Sequence, residues 1–275
     1  MSLHDKVTTT QNDKCEQNQH LINSYNKLKN EFDDHPYADK HSRTEQLKIL
    51  KTQLLKLKPE LIKALETDYG HRSDFDSVLA DILPTIQHIK YSIKNLSKWM
   101  KPSRRSSGLL LAPSTIKVQY QPLGVIGIIV PWNFPVSLAA RSLAPALAAG
   151  NSVIIKSPEL DPLALASLGL AIERAGVPKG VVSILNGVGA DLGAKLVASK
   201  DIDQIVFTGS VPTGQAILKS AANEVVPSLM ELGGKSAGIV FKDADIEEVV
   251  DSVKWGIFFN AGQVCSAMSR LLVCK

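Results

Sequence analysis

Cysteine is scarce in this sequence: three among 275 residues, Cys15, Cys265 and Cys274, with no CxxC pair. No disulfide framework can be read from them, no metal site is expected, and a reducing, cytoplasmic setting follows as the default. Long apolar runs are missing too. The longest, around residues 125–130, is interrupted by Gly127 and ended by Pro131, far short of a bilayer span, so a membrane partner is not expected. The opening stretch MSLHDKVTTTQNDKC lacks the apolar core of a signal peptide. Charge of one sign is also lacking. A net +4 gives no concentrated basic face, and nucleic acid is not expected as a partner. What remains is an ordinary globular composition, 44% hydrophobic and 21% charged, which excludes disorder throughout. The length suits one large domain or two smaller ones.

Residues 1–20, rich in Gln, Asn, Thr and charge, read as a disordered tail. From Leu21 to about Met100 the periodicity is helical. Leu47, Leu50, Leu54, Leu57 and Leu61 recur at steps of three and four. A second long helix is predicted from about Ser73 to Met100, with Val78, Ile82, Ile86, Ile89, Ile93 and Leu96 on one face. Its basic end (Lys98, Lys101, Arg104, Arg105) fits a solvated helix terminus, with an oligomer or membrane contact as the alternative. Past Pro102 the pattern changes. Residues 114–120 alternate like a half-exposed strand. Short apolar strands at 124–130, 152–156, 181–185 and 204–207 then alternate with helices at 137–149, 162–175, 190–198 and 213–222. That alternation predicts an α/β fold with a doubly wound parallel sheet. After Pro227 come an apolar pair in LMELGGK, a strand at 237–241, and a helix opened by Asp243 or Asp245 that runs to about Phe259. The chain closes on a strand at LLVCK.

Five segments near strand ends and helix starts each carry two readings. In VPWNFP two prolines stiffen a loop that holds Asn133 at the carboxyl edge of the sheet, where open α/β sheets bind ligands. A tight turn with Asn as a local cap fits as well. IIKSPE puts Lys156 and Glu159 at the same edge, suited to ribose hydroxyls or simply to a solvated loop. In FTGSVPTG, Gly209 permits a sharp turn, and Ser210 can cap a helix and offer N–H groups to a phosphate. It is not GxGxxG and does not by itself mark a dinucleotide site. MELGGK puts Glu231 in an apolar setting, where a raised pKa would suit a general base; a structural pair with Lys235 or a backbone group is the alternative. In FFNAGQVCSAMS, Cys265 taken alone is more often a packed small hydrophobe than a nucleophile. His20, His35, His41, His71 and His88 all lie in the helical N-terminal part, so a Cys–His hydrolase is poorly supported.

Together and in this order, the five segments resemble those of the aldehyde dehydrogenase superfamily, over about residues 21–275. The stretch HRSDFDSVLADILPTIQHIKYSIKNLSKWMKPSRR, followed by YQPLGVIGIIVPWNFP, looks most like the coniferyl-aldehyde branch. CSAMSRLLV looks more like the betaine-aldehyde and general NAD-dependent branches. The resemblance implies a Rossmann-like sheet preceded by long helices, with an NAD(P)-binding domain over 21–232 and the start of a second α/β catalytic domain over 233–275. It implies that the Cys265 thiolate attacks a small-molecule aldehyde, aromatic in the coniferyl branch. The Asn133 side-chain amide and the Cys265 backbone N–H would receive the oxyanion. Glu231 would activate the water that hydrolyses the resulting thioester. Cofactor contacts are implied at Trp132, Lys156, Glu159, Gly189, Gly193, Gly209, Ser210, Gly214 and Leu232. NAD is favoured over NADP, because Glu159 stands where a 2′-phosphate would approach.

Family chains are nearly twice this long, so LLVCK reads as a strand cut off in progress. A full-length chain is expected to form a homodimer. The 275-residue chain is expected to leave apolar surface uncovered and to turn over weakly or not at all. Two other readings stand beside this one. A CoA-acylating relative is opposed by Glu231, since a water-activating base would waste the thioester. A truncated, inactive nucleotide-binding remnant or regulatory partner would bind cofactor without turnover.

Overall fold

Leu47, Leu50, Leu54, Leu57 and Leu61 are all buried, but they are shared between two helices and, at Leu57, the junction that joins them. The helices are α2 (Lys40–Lys56) and α3 (Lys58–Tyr69), preceded by α1 (Gln11–Asp34). The break falls where Pro59 enters the first turn of α3, a position that needs no N–H donor, whereas its ring would clash inside a continuing α2. The computed structural model describes residues 11–34, 38–178 and 180–274. Residues 11–20, read as tail, lie in α1, and residues 1–10 lie outside the described residues.

The second long helix is also divided. A single turn, α4 (Asp74–Ser77), leads through a wide π turn at Val78–Ile82 into α5 (Leu83–Trp99). Pro84 cannot donate to the carbonyl four residues before it, and the widened turn takes up that defect. Ile86, Ile89 and Leu96 of α5 are buried in the main core, as their spacing predicts.

A small antiparallel pair follows, β1 (Ser103–Arg105) with β2 (Ile116–Val118). Next come β3 (Val125–Ile129), α6 (Pro135–Ala149), β4 (Ser152–Lys156), α7 (Pro162–Arg174) and β5 (Val182–Leu185). After a π turn at Gly189–Gly193, α8 (Ala194–Val197), β6 (Gln204–Gly209), α9 (Val211–Ala221) and β7 (Ser228–Leu232) complete the sheet. Its order is β5-β4-β3-β6-β7, with every neighbour parallel. The chain winds outward from β3 through β4 and β5, then returns to lay β6 on the other side of β3. This is the doubly wound sheet predicted from the sequence. Its central strands, covered on both faces, are apolar almost without interruption. The switch point lies between the carboxyl ends of β3 and β6, the place where such sheets hold ligands.

Two further features differ from the sequence reading. LMEL, taken only for an apolar pair, is part of β7, because pairing with β6 sets Glu231 beside Thr208 and makes the segment an edge strand. The segment at 190–198 is half π turn and half helix. Beyond β7 a separate two-stranded parallel sheet is formed by β8 (Ser236–Val240) and β9 (Met268–Val273), connected through α10 (Ile246–Phe258). Asp245 caps α10 by accepting from the N–H groups of Glu247 and Glu248.

Candidate active site

A cleft of about 330 Å³ opens at the switch point of the sheet. The loop after β3 contributes Trp132 and Asn133, and the junction of β6 with α9 contributes Gly209 and Ser210. The end of β7 contributes Glu231 and Leu232, and the turn after α10 brings in Cys265. Seven of the residues singled out in the sequence thus face one space. Cys265 is exposed rather than packed.

The turn that carries Cys265 is unusual. Asn260 and Ala261 have φ of 48° and 55°, and Gly262 has 77°. A left-handed alanine costs about 1 kcal/mol, so other interactions must hold the turn. Asn260 Nδ2 donates to the Asn133 carbonyl at 3.1 Å, and Asn133 Nδ2 donates to the Gln263 carbonyl at 2.9 Å. This reciprocal clasp fastens the cysteine loop onto the β3 loop. The Phe134 and Phe259 rings stack beneath it at 6.2 Å. An amide nitrogen carries two N–H bonds; one meets Gln263, and the second is left for a ligand oxygen. Asn260 and Gln263 have no assigned role in the sequence reading, although the N-A-G run is a turn signal.

Glu231 departs from expectation. It is not enclosed in an apolar setting: its side chain is 44% exposed and pairs with Arg141 of α6 at 3.2 Å, not with Lys235. The cause is its place at the end of an edge strand, where one side of the sheet stays open. Arg141 belongs to no motif, and only the packing of α6 against the sheet brings it to the cleft.

The remaining cofactor candidates do not line this cleft. Lys156, at the buried end of β4, meets Glu159 at 2.6 Å, and the Gly189 N–H donates to the other Glu159 oxygen at 3.3 Å. Burial would raise the Glu159 carboxyl, but the Lys156 ammonium and the Gly189 N–H outweigh it and hold the group below the usual carboxylate range. A Cβ on Gly189 would stand 3.6 Å from the Glu159 carboxylate and 3.7 Å from Lys156 Nζ. Gly214 lies in the first turn of α9, where a Cβ would strike Leu232 at 2.7 Å; it lets α9 approach β7 closely. Gly193 is buried at the end of its π turn with open space beside it. Among the described residues, no group of three or more His, Cys, Asp or Glu could hold a metal ion, and no helix is long and apolar enough to cross a membrane.

A buried polar cluster beneath the β3 loop was not visible in the sequence. Arg72 pairs with Asp81 at 2.7 Å, with side chains 3% and 0% exposed. The Arg72 guanidinium lies over the Tyr69 ring at 4.8 Å and near the Phe134 ring at 5.7 Å. Tyr69 donates its hydroxyl to the Trp132 carbonyl, and Arg72 donates to the Asn133 carbonyl at 3.4 Å. Asp81 accepts from the Ser137 N–H at 2.8 Å, capping α6, whose own N-cap residue Phe134 makes no side-chain bond. Asp68 does the same for α7, accepting from Ala164 at 2.9 Å. Asp161, which feels the charges of both carboxylates, is also buried, and its oxygens have no hydrogen-bond partner among the described residues.

The aldehyde dehydrogenase family model matches residues 4–275. A Pseudomonas aeruginosa protein named "probable coniferyl aldehyde dehydrogenase" is 38% identical over 238 residues, 86% of this chain and 49% of that protein. The betaine aldehyde dehydrogenase of Bacillus subtilis is 49% identical over 160 residues, 58% of this chain and 33% of that one. Among solved structures, the Staphylococcus aureus betaine aldehyde dehydrogenase in complex with NAD+ superimposes with a TM-score of 0.86 at 31% identity, covering 91% of this chain and 49% of that one. An NAD+ complex of aldehyde dehydrogenase from Bacillus cereus gives 0.86 at 30% identity, over 92% of this chain and 51% of that one. This chain spans about half the length of most of these relatives. With a family match over nearly its whole length, and with its fold superimposing on theirs, the chain belongs to the aldehyde dehydrogenase family.

Proposed function

We propose that these residues serve the NAD-dependent oxidation of an aldehyde to a carboxylic acid. The observation that carries the reading is the convergence of Asn133, Glu231 and Cys265 on one cleft at the switch point of the sheet. The Cys265 sulfur adds to the carbonyl carbon, and the carbonyl π pair moves onto oxygen. That oxygen is received by the second N–H of the Asn133 amide and by the Cys265 backbone N–H. When bound, a nicotinamide would accept the hydride, and the carbon held by Cys265 would then be at the thioester level. Glu231, open to solvent, takes a proton from water as the water attacks the thioester. The C–S bond then breaks, releasing the acid and restoring the thiolate.

The residues present fit a dinucleotide. The positive end of α9 opens on the cleft at Gly209 and Ser210, as a pyrophosphate requires. The Lys156–Glu159 pair at the end of β4 offers a donor and an acceptor to ribose hydroxyls, with the Gly189 backbone beside it. An ionised Glu159 disfavours a 2′-phosphate, which supports NAD over NADP. The relatives named for coniferyl and betaine aldehydes support substrates of those classes.

The test is competition at the thiol. Iodoacetamide labelling of the chain, mapped by peptide, is run with and without benzaldehyde, coniferyl aldehyde or betaine aldehyde. Aldehyde is expected to suppress labelling at Cys265 and leave Cys274 unchanged. Equal labelling of Cys265 at all aldehyde concentrations refutes the reading.

A further inference from the structure

The Arg72–Asp81 pair stands directly under the wall that presents Asn133. Burying an ion pair is seldom a net source of stability, because desolvation of the two charges offsets their attraction. Here the pair is joined to main chain that matters to the cleft. Arg72 reaches the Asn133 carbonyl, and Asp81 holds the first turn of α6 four residues further on. Tyr69, stacked on the same guanidinium, reaches the Trp132 carbonyl. Three consecutive parts of the loop are therefore tied to one buried cluster. Asn260, from the cysteine loop, also donates to the Asn133 carbonyl. Two donors from separate parts of the chain together restrict the orientation of that carbonyl. Its rotation sets the direction of the Asn133 side chain.

We propose that Arg72 is a positioning residue: with Asp81 it fixes the Asn133 peptide so that the second amide N–H of Asn133 faces the oxygen of an aldehyde adding to Cys265. The inference rests on the reading given under Proposed function. The adduct it concerns is a thiohemiacetal, in which the S–C bond forms, the C=O π pair moves to oxygen, and the thiol proton ends on that oxygen.

The test compares the 275-residue chain with Arg72→Lys, with the neutral pair Arg72→Gln/Asp81→Asn, with Asn133→Ala, and with the triple variant. The neutral pair leaves no lone charge buried, and the thermal transition and the Cys265 alkylation rate without aldehyde report on folding. Protection of Cys265 from iodoacetamide by benzaldehyde is the readout a merely structural role would not move on its own. The neutral pair is expected to need about 10- to 100-fold more aldehyde for half-protection, as Asn133→Ala does, with bare alkylation within about twofold. Arg72→Lys should fall between that pair and the parent. The triple variant should lose no more than Asn133→Ala alone, since both changes remove one interaction. Protection of the neutral pair equal to that of the parent overturns the proposal. So does loss of protection together with bare reactivity and folding, because the cluster would then be structural. If the parent chain itself is unprotected, the functional reading fails first and this inference falls with it.

Discussion

Replacing Asp161 with Asn should remove a pH-dependent loss of stability from this chain. Burial, then the charges of Asp68 and Asp81, push the Asp161 carboxyl up to about 9, with Arg72 opposing in part. In the unfolded chain the group returns to 3.8. Between those two values the native state holds one proton that the unfolded state has released. The sign follows: a native pKa raised above the unfolded one gives stability that is full at low pH and drains away as pH rises. The slope for one proton is about 1.4 kcal/mol per pH unit, so the interval from pH 5 to pH 8 is worth about 4 kcal/mol. Asparagine keeps the shape of the neutral acid and has no proton to lose. Urea unfolding of the parent and of Asp161→Asn at pH 5, 6.5 and 8 measures the difference. The difference should shift steadily in favour of the variant, by about 4 kcal/mol between pH 5 and pH 8. Parallel lines across that range would show that the carboxyl is not held neutral, and the account of the buried cluster would be wrong.

Gly150→Ala tests the joint between α2 and α6. Gly150 has φ of 87°, and a Cβ there would lie 2.6 Å from Cζ of Arg43, which donates to the Ala149 carbonyl at 2.7 Å. Left-handed strain of about 1 kcal/mol plus a disturbed charged hydrogen bond of about 2 kcal/mol predicts a loss near 3 kcal/mol. That is a fall of roughly 6–12 °C in Tm by circular dichroism, and a change under about 2 °C would refute the clash. Glu231→Gln addresses the water-activating step. In an active preparation a first burst of NADH should persist while steady turnover drops by about 10²–10⁴-fold. Loss of its exposed pair with Arg141 should change stability by less than about 1 kcal/mol. Unchanged steady turnover would assign the base to another group.

The sequence by itself determined the sheet and the motif residues set along it. Strands buried on both faces must be apolar throughout, and helices between them must carry a 3.6-residue stripe, so residues 124–222 read as βα units without any knowledge of contacts. The residue types of WNFP, KSPE, TGS, MELGG and VC are legible because each is short and continuous in the chain. The break at Pro59 was not read from the sequence, although its cause, a missing N–H, is local. Tertiary structure decided the rest. Whether Cys265 is packed or open depends on a left-handed turn at Asn260 and Ala261, held by a clasp to Asn133 from far along the chain. Glu231 proved half-exposed because its strand lies at an edge, and edge or centre is a property of pairing order. Arg141, Arg72, Asp81 and Asp161 carry no local pattern at all. Their charges gain meaning only when helices distant in sequence are packed together and water is excluded between them, for only then do the pairing and desolvation that set their behaviour exist.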